Sequence, residues 1–249
     1  MIKIALSLML LIGTLFSKDY TLDAKYDIHY GFFGTIGEAN ANLKIDNDTY
    51  KIKLEAKAQG LVKILSSNRV EIYESTGIVK DGLFVPNIFI STKIKGDNKN
   101  VRRYLIDHKK KEVVLLRSSI NDGVASDSRT ILPYYSKNDI LTLFFNLKYL
   151  LGEDFKVKDG QKFVAIGASK RDGKVNIENI PKQNFRDIAK LLKKPENLLT
   201  VVLNQKIFSS QKGEMFVNLD DDGICLSAVL KDVVMFGDIR GELVSLIKR

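Results

Sequence analysis

The 249-residue chain contains two histidines, His29 and His108, a single cysteine, Cys225, and no tryptophan. A Ser-His-Asp or Cys-His centre needs an imidazole beside its nucleophile. His29 falls on the polar face of an alternating segment and His108 precedes Lys109-Lys110-Lys111, so both read as surface residues. No paired Cys or His spacing suits zinc. Asn218-x-Asp220-x-Asp222-Gly223 copies the opening of a calcium loop, but Val229 stands where the bidentate glutamate belongs and the flanks read as strands, so a hairpin turn is expected. Gly31-Phe32-Phe33-Gly34 reads as an apolar turn, since no glycine-rich nucleotide motif leads from a strand into a helix. Glu71 and Glu74 are the paired carboxylates left for a hydrolase. The inventory argues against an enzyme: it assigns no catalytic residue, metal ligand or cofactor.

Binding chemistry is better supplied. The basic residues of a chain with 39 Lys+Arg against 30 Asp+Glu are scattered, except between Lys93 and Lys111. Lys93, Lys95, Arg102, Arg103, Lys109 and Lys110 form a candidate anionic-ligand surface; the plainer reading is a solvated face of two strands with a lysine-protected edge. Tyr26, Ile28, Leu43, Leu54, Phe144 and Leu147 are candidates to line a core or an apolar pocket. Cys225, within Gly-Ile-Cys-Leu-Ser-Ala-Val, reads as a small buried hydrophobe, and one cysteine allows no internal disulfide.

Residues 1–17 set the expected location. Lys3 gives a short positive start, Ile4 to Phe16 carry no charge, Ser17 is small, and charge returns at Lys18 and Asp19. The run is too short to span a bilayer and reads as a secretory signal peptide; with no cysteine nearby it is not a lipoprotein anchor. The rest, 18–249, is expected to be one exported domain without a membrane span. Export makes anionic lipid and lipopolysaccharide the available polyanions and removes nucleic acid as the partner of a +9 chain.

Period-2 alternation dominates the positions that must hold these residues. Ala24, Tyr26, Ile28 and Tyr30 share one strand face; Ala39, Ala41, Leu43 and Ile45 share another; Tyr50, Ile52, Leu54, Ala56 and Ala58 a third, with Asn47-Asp48 as a tight turn. Further strands are expected at 69–79, 83–95, 101–108, 111–119, 162–168, 174–180, 198–208, 214–220, 223–232 and 237–247. Asp-Gly pairs at 81–82, 122–123, 159–160, 172–173 and 222–223 suit hairpins. One strong helix is expected near 139–151, opened by a capping box at Ser136-Lys137-Asn138-Asp139 and closed by Gly152. It is apolar nearly all round, so it must be buried on most sides. A weaker helix is expected at Asn184–Lys194, stopped by Pro195. The fold class that follows is mainly β: a curved antiparallel sheet or open barrel packed around a buried helix.

Several segments together resemble the bacterial family known as domain of unknown function 3108. They are Tyr26-Asp-Ile-His-Tyr-Gly31, Ile36-Gly37-Glu38-Ala39, Gly60-Leu-Val-Lys-Ile-Leu-Ser-Ser67, Glu71-Ile-Tyr73, Gly82-Leu-Phe-Val-Pro86 and Asn100-Val-Arg-Arg-Tyr-Leu-Ile-Asp107. The helix at 139–151, Val157-Lys-Asp-Gly160, Leu219-Asp-Asp-Asp-Gly223 and Gly237-x-Ile-Arg-Gly-Glu-Leu243 continue the likeness, while 183–197 is longer than the pattern. The resemblance implies an exported, mainly antiparallel β protein of the Gram-negative periplasm and supplies no catalytic residues. By fold analogy a curved sheet around a helix is similar to periplasmic lipoprotein carriers. Three functions stay open: a carrier of lipid or another apolar ligand, a non-catalytic envelope assembly protein working through a sheet edge or the basic surface, and an envelope hydrolase.

Overall fold

Strands form where alternation is strongest, and two-residue turns join many of them. The computed structural model describes residues 19–31, 34–65, 67–158, 161–169, 171–180, 185–192, 195–203, 214–233 and 237–249. The expected signal peptide, Phe32-Phe33, Asp159-Gly160 and residues 204–208 lie outside the described residues, as do Asn184, Lys193 and Lys194 of the weaker helix. The first run of strands is β1 (Asp19–Tyr30), β2 (Thr35–Asp46), β3 (Thr49–Ala58), β4 (Val70–Lys80), β5 (Leu83–Lys95), β6 (Asn98–Asp107), β7 (Glu112–Asn121) and β8 (Val124–Ile131). The second is β9 (Phe163–Val164), β10 (Lys174–Asn179), β11 (Asn197–Leu203), β12 (Glu214–Leu219), β13 (Cys225–Val233) and β14 (Gly237–Lys248). Among the described residues four short helices accompany them: α1 (Gly60–Leu65), α2 (Ile140–Phe145), α3 (Leu147–Leu151) and α4 (Phe185–Leu191). Asp81-Gly82 and Asp122-Gly123 have paired positive φ angles of 52° and 77°, and 50° and 79°, as type I′ hairpins require.

The strands make one antiparallel sheet in the order β8-β7-β6-β5-β4-β3-β2-β1-β14-β13-β12-β11-β10-β9. Each run is an up-and-down meander, and the two meet in the middle where β1 pairs with β14. The sheet stays open, with edges β8 and β9. The connection between those edges carries α2 and α3 through the interior. Leu141 packs in a core cluster with Leu22, Leu43, Ile52, Phe89 and Tyr104, whereas Leu143 and Leu147 pack with Phe163, Val175, Leu199 and Val217 from the other run. A helix between two sheet faces needs apolar residues all round, which explains its composition. On the outer face, Ile188 and Leu192, in and just after α4, pack against Phe216 and Val229.

Buried polar groups set the depth of α2. Its N-cap is Asp139, whose Oδ1 accepts from the amides of Leu141 (2.9 Å) and Thr142 (2.8 Å). Thr142 Oγ1 accepts in return from the Asp139 amide, completing a capping box. The expected cap, Ser136, instead donates to the Val164 carbonyl. Ser75 Oγ, from β4, donates to Asp139 Oδ2 at 2.5 Å, and Tyr50 lies 2.9 Å from Ser75 Oγ. Because the single Ser75 hydrogen goes to the carboxylate, the Tyr50 phenol is the donor to Ser75. Burial pushes the Asp139 carboxyl from 3.8 up to about 6, against hydrogen bonds from Ser75, Thr142 and Leu141 that favour the charged form.

Other sequence expectations are corrected. The single helix over 139–151 is two short helices divided at Asn146, whose backbone keeps its bonds to Thr142 and Leu150 while its side chain bonds Phe84 of β5. The strand expected at 162–168 shrinks to Phe163–Val164, with a single bridge from Ile166 to Asp139. The weaker helix covers Phe185–Leu191, and α1 and β8 were not expected at all. Gly167 makes one packing prediction: its φ is +88°, and an added Cβ would lie 2.4 Å from the ring of Phe89, which is itself buried. Gly167→Ala should cost about 2–3 kcal/mol through this overpacking and the left-handed backbone, read from denaturation midpoints at unchanged m-value.

Candidate functional site

Residues in register across the sheet form rows on its inner face. Leu22, Leu43, Ile52, Ser75, Phe89, Tyr104 and Leu115 make one row from β1 to β7, and all are buried. The next row toward one end runs from Leu246 through Ala24, Ala41, Leu54, Tyr73 and Ser91 to Arg102, Arg117 and Ser128. Beyond it, Leu243, Tyr26, Ala39, Ala56, Glu71, Lys93, Asn100, Ser119 and Ser126 follow the same path. In these two rows Tyr26, Leu54, Ala56, Tyr73 and Leu243 are only half-buried. The rows therefore pass from an apolar wall on β14 and β1–β3 to a polar wall on β4–β8.

The polar wall has two electrostatic parts. Glu71 Oε1 takes a hydrogen bond from Arg69 Nε (2.9 Å), while its Oε2 accepts from Tyr73 (2.5 Å) and lies 3.3 Å from Lys93 Nζ. Burial raises the Glu71 pKa, but hydrogen bonds from Tyr73 and Arg69 and the charges of Lys93 and Arg69 outweigh it and hold the carboxyl below its ordinary value. Arg102 and Arg117 stand directly opposite each other on β6 and β7. Both act on Tyr104, whose phenol is raised by burial and lowered by these guanidiniums, and Arg102 also acts on Tyr73. Arg117 Nη1 donates to Thr130 Oγ1 at 3.2 Å. Among the described residues no carboxylate pairs with either arginine. Like charges placed directly opposite are destabilising unless something neutralises them.

The pocket candidates divide between places. Leu43 is in the first core cluster with Tyr26 and Leu54 packed on its margin, whereas Leu147 is in the second with Phe144 beside it. Ile28 is half-buried on the inner face beyond Tyr26. The basic candidates do not share one surface. Lys93, Lys95 and Arg102 alternate onto the inner side, Arg103 points outward, and Lys109 and Lys110 occupy the β6–β7 turn, roughly 20 Å along the strand from Arg102. Arg117 was missed; alternation with Val113 and Leu115 was the available signal. Glu71 and Glu74 face opposite sides, Glu74 pairing with Lys51 at 3.2 Å. His108 is a clamp rather than a free surface group. Its Nε2 donates to the Pro86 carbonyl (2.7 Å), leaving Nδ1 to accept from the Tyr135 hydroxyl (2.8 Å). His29 lies 3.2 Å from Thr35 Oγ1. The calcium-like segment is a turn in which Asp220 Oδ1 accepts from the amides of Asp222 and Ile224. Cys225 packs against the second cluster, and burial pushes its thiol up to about 12. No helix among the described residues is long and apolar enough to cross a membrane.

Fold and inner face together define an open, barrel-like antiparallel sheet filled on one side by a helix and lined on the other by half-buried residues. Residues 25–158, more than half of the chain, match the model of the family described as "Protein of unknown function (DUF3108)", and the chain belongs to that family. It is also similar to a solved structure, the crystal structure of a beta-barrel-like protein of domain of unknown function DUF1849 from Brucella abortus. The likeness covers 93% of this chain and 98% of that one at 14% identity and a TM-score of 0.50, which makes it a likeness of fold. No curated protein matches the chain.

Proposed function

We propose that this protein is a non-catalytic binding module of the bacterial cell envelope, exported to the periplasm, that holds an amphiphile with an acidic headgroup against the inner face of its sheet. One observation carries the reading: the inner-face row that begins at the half-buried Leu54 and Tyr73 and ends at the half-buried Arg102 and Arg117. An acyl chain lying on Leu54, Ala56, Tyr26 and Leu243 gains roughly 25 cal/mol for each Å² of apolar surface it removes from water. A carboxylate or phosphate at the other end of the row neutralises the opposed arginines with charge-assisted hydrogen bonds. The N-terminal apolar run supports export, and membership of a β family without assigned activity agrees with a binding role.

Native mass spectrometry of protein taken from its own periplasm, with a solvent extract alongside, tests the reading first. A stoichiometric acidic lipid is the expected result. Titration of delipidated protein with a fluorescent fatty acid then locates the site. Ala56→Trp should weaken binding at least about tenfold by filling the apolar end, a loss of roughly 1.4 kcal/mol or more. The double variant Arg102→Gln/Arg117→Gln should weaken the fatty acid but leave the matching fatty alcohol unaffected. An apo mass together with no binding of either probe would remove the proposal.

A further inference from the structure

Among the described residues strand β8 is an unpaired edge, and all eight of its residues are exposed. Edge strands are usually short, bulged, or guarded by lysine or proline. The opposite edge, β9, is only two residues long. By contrast β8 reads Val-Ala-Ser-Asp-Ser-Arg-Thr-Ile, with no lysine and no proline, and its register against β7 has no bulge. Val124 and Ile131 are 70% and 52% exposed.

The backbone phase of this edge follows from its partner strand. Leu132 donates to the Val113 carbonyl at 2.9 Å, and bonded residues alternate along an antiparallel ladder. The even-numbered residues of β8 are therefore bonded to β7. The N–H and C=O groups of Ala125, Asp127, Arg129 and Ile131 point away from the sheet.

The side chains are complementary to themselves about Ser128. When a second copy is laid antiparallel with the two-fold axis at Ser128, Asp127 comes opposite Arg129 on both sides of the axis. Ser126 then meets Thr130, Ala125 meets Ile131, and the outward-pointing backbone groups fall into bonded pairs. Asp127 and Arg129 lie on the same side of the strand, being two residues apart. The contact is isologous, so it closes at two chains and does not propagate.

We infer that the protein forms a homodimer by antiparallel pairing of β8 with β8 of a second copy, in the register centred on Ser128. Sedimentation of the purified chain tests this over a range of concentrations. The wild type should reach twice the monomer mass. Asp127→Arg and Arg129→Asp should each shift the protein to monomer by placing like charges opposite each other. The double variant Asp127→Arg/Arg129→Asp restores the pairs and should restore the dimer. Register has its own readout. Two Ser128 residues would face each other as a non-bonded pair with Cα atoms roughly 4.5 Å apart, close enough for a disulfide. Ser128→Cys should cross-link to completion under mild oxidation, and Ser126→Cys should not, since each copy of it faces Thr130. These substitutions are all at exposed positions, and circular dichroism confirms that the fold is retained. A wild type that stays monomeric at its solubility limit overturns the inference. So do charge variants that dimerise like the wild type, or Ser126→Cys cross-linking as readily as Ser128→Cys.

Discussion

Asp139→Ala should cost roughly 3–5 kcal/mol, while Asp139→Asn should cost no more than about 1–2 kcal/mol at neutral pH. Alanine removes the acceptor for the Leu141 and Thr142 amides and leaves the buried Ser75 hydroxyl with Tyr50 as its one remaining side-chain partner. Asparagine keeps the amide acceptor, and its own amide donates to Ser75 Oγ. The Ser75 hydrogen then turns toward Tyr50, reversing the chain at the cost of one displaced phenol hydrogen. Asparagine also removes a charge that is expensive at this depth.

The same substitution isolates a pH effect. A carboxyl raised from 3.8 to about 6 binds its proton more tightly in the folded state. Its stabilising contribution is therefore complete below about pH 3.8 and is lost as the pH rises through about 6. The span is on the order of 3 kcal/mol. Glu71 and Glu55, held below their ordinary values, act in the opposite sense and gain stability as they ionise. The difference between wild type and Asp139→Asn is the quantity to measure, by urea denaturation from pH 4 to 7. The asparagine protein should gain on the wild type steadily over that range; parallel curves would show that Asp139 is not displaced from its ordinary value.

Asn146→Leu should have the second large effect, roughly 2–5 kcal/mol. Strand β6 ends at Asp107, so nothing in the sheet flanks Phe84 on that side of β5. Asn146 fills the gap: its Oδ1 accepts from the Phe84 amide at 2.9 Å and its Nδ2 donates to the Phe84 carbonyl at 3.0 Å. Leucine matches the volume but leaves both backbone groups buried and unpaired, each costing about 1–3 kcal/mol. A loss below about 1 kcal/mol in chemical denaturation would mean that water reaches Phe84 and replaces the side chain.

Strands with one apolar face were legible as alternation, and Asp-Gly pairs fall in four of the connections between paired neighbours. Strand β8 was not, because an edge exposed on both faces has no apolar period to detect. The helix was legible from its composition, but its capping residue was placed three positions early, since Ser136 is drawn to Val164 rather than to the helix amides. The partner of Asn146, where the helix divides, lies on a strand more than sixty positions earlier in the chain. The candidate site was half legible. Tyr26 and Leu54 declared their face, whereas Arg102 and Arg103 were grouped by charge although neighbours on a strand point to opposite sides. Nothing local in the sequence indicates that β1 pairs with β14.

That central pairing should make the middle of the sheet its latest-forming part. Leu22 lies beside Lys248, and Thr21 and Arg249 exchange backbone hydrogen bonds of 2.8 and 2.9 Å. Each meander can gather locally, hairpin by hairpin, but the seam must close a loop of nearly the entire chain, and such distant pairings form slowly. Until then β1 and β14 are both raw edges. A chain stopped short of β14 would be left with a permanent gap along its axis, open to proteases and to the strands of its neighbours.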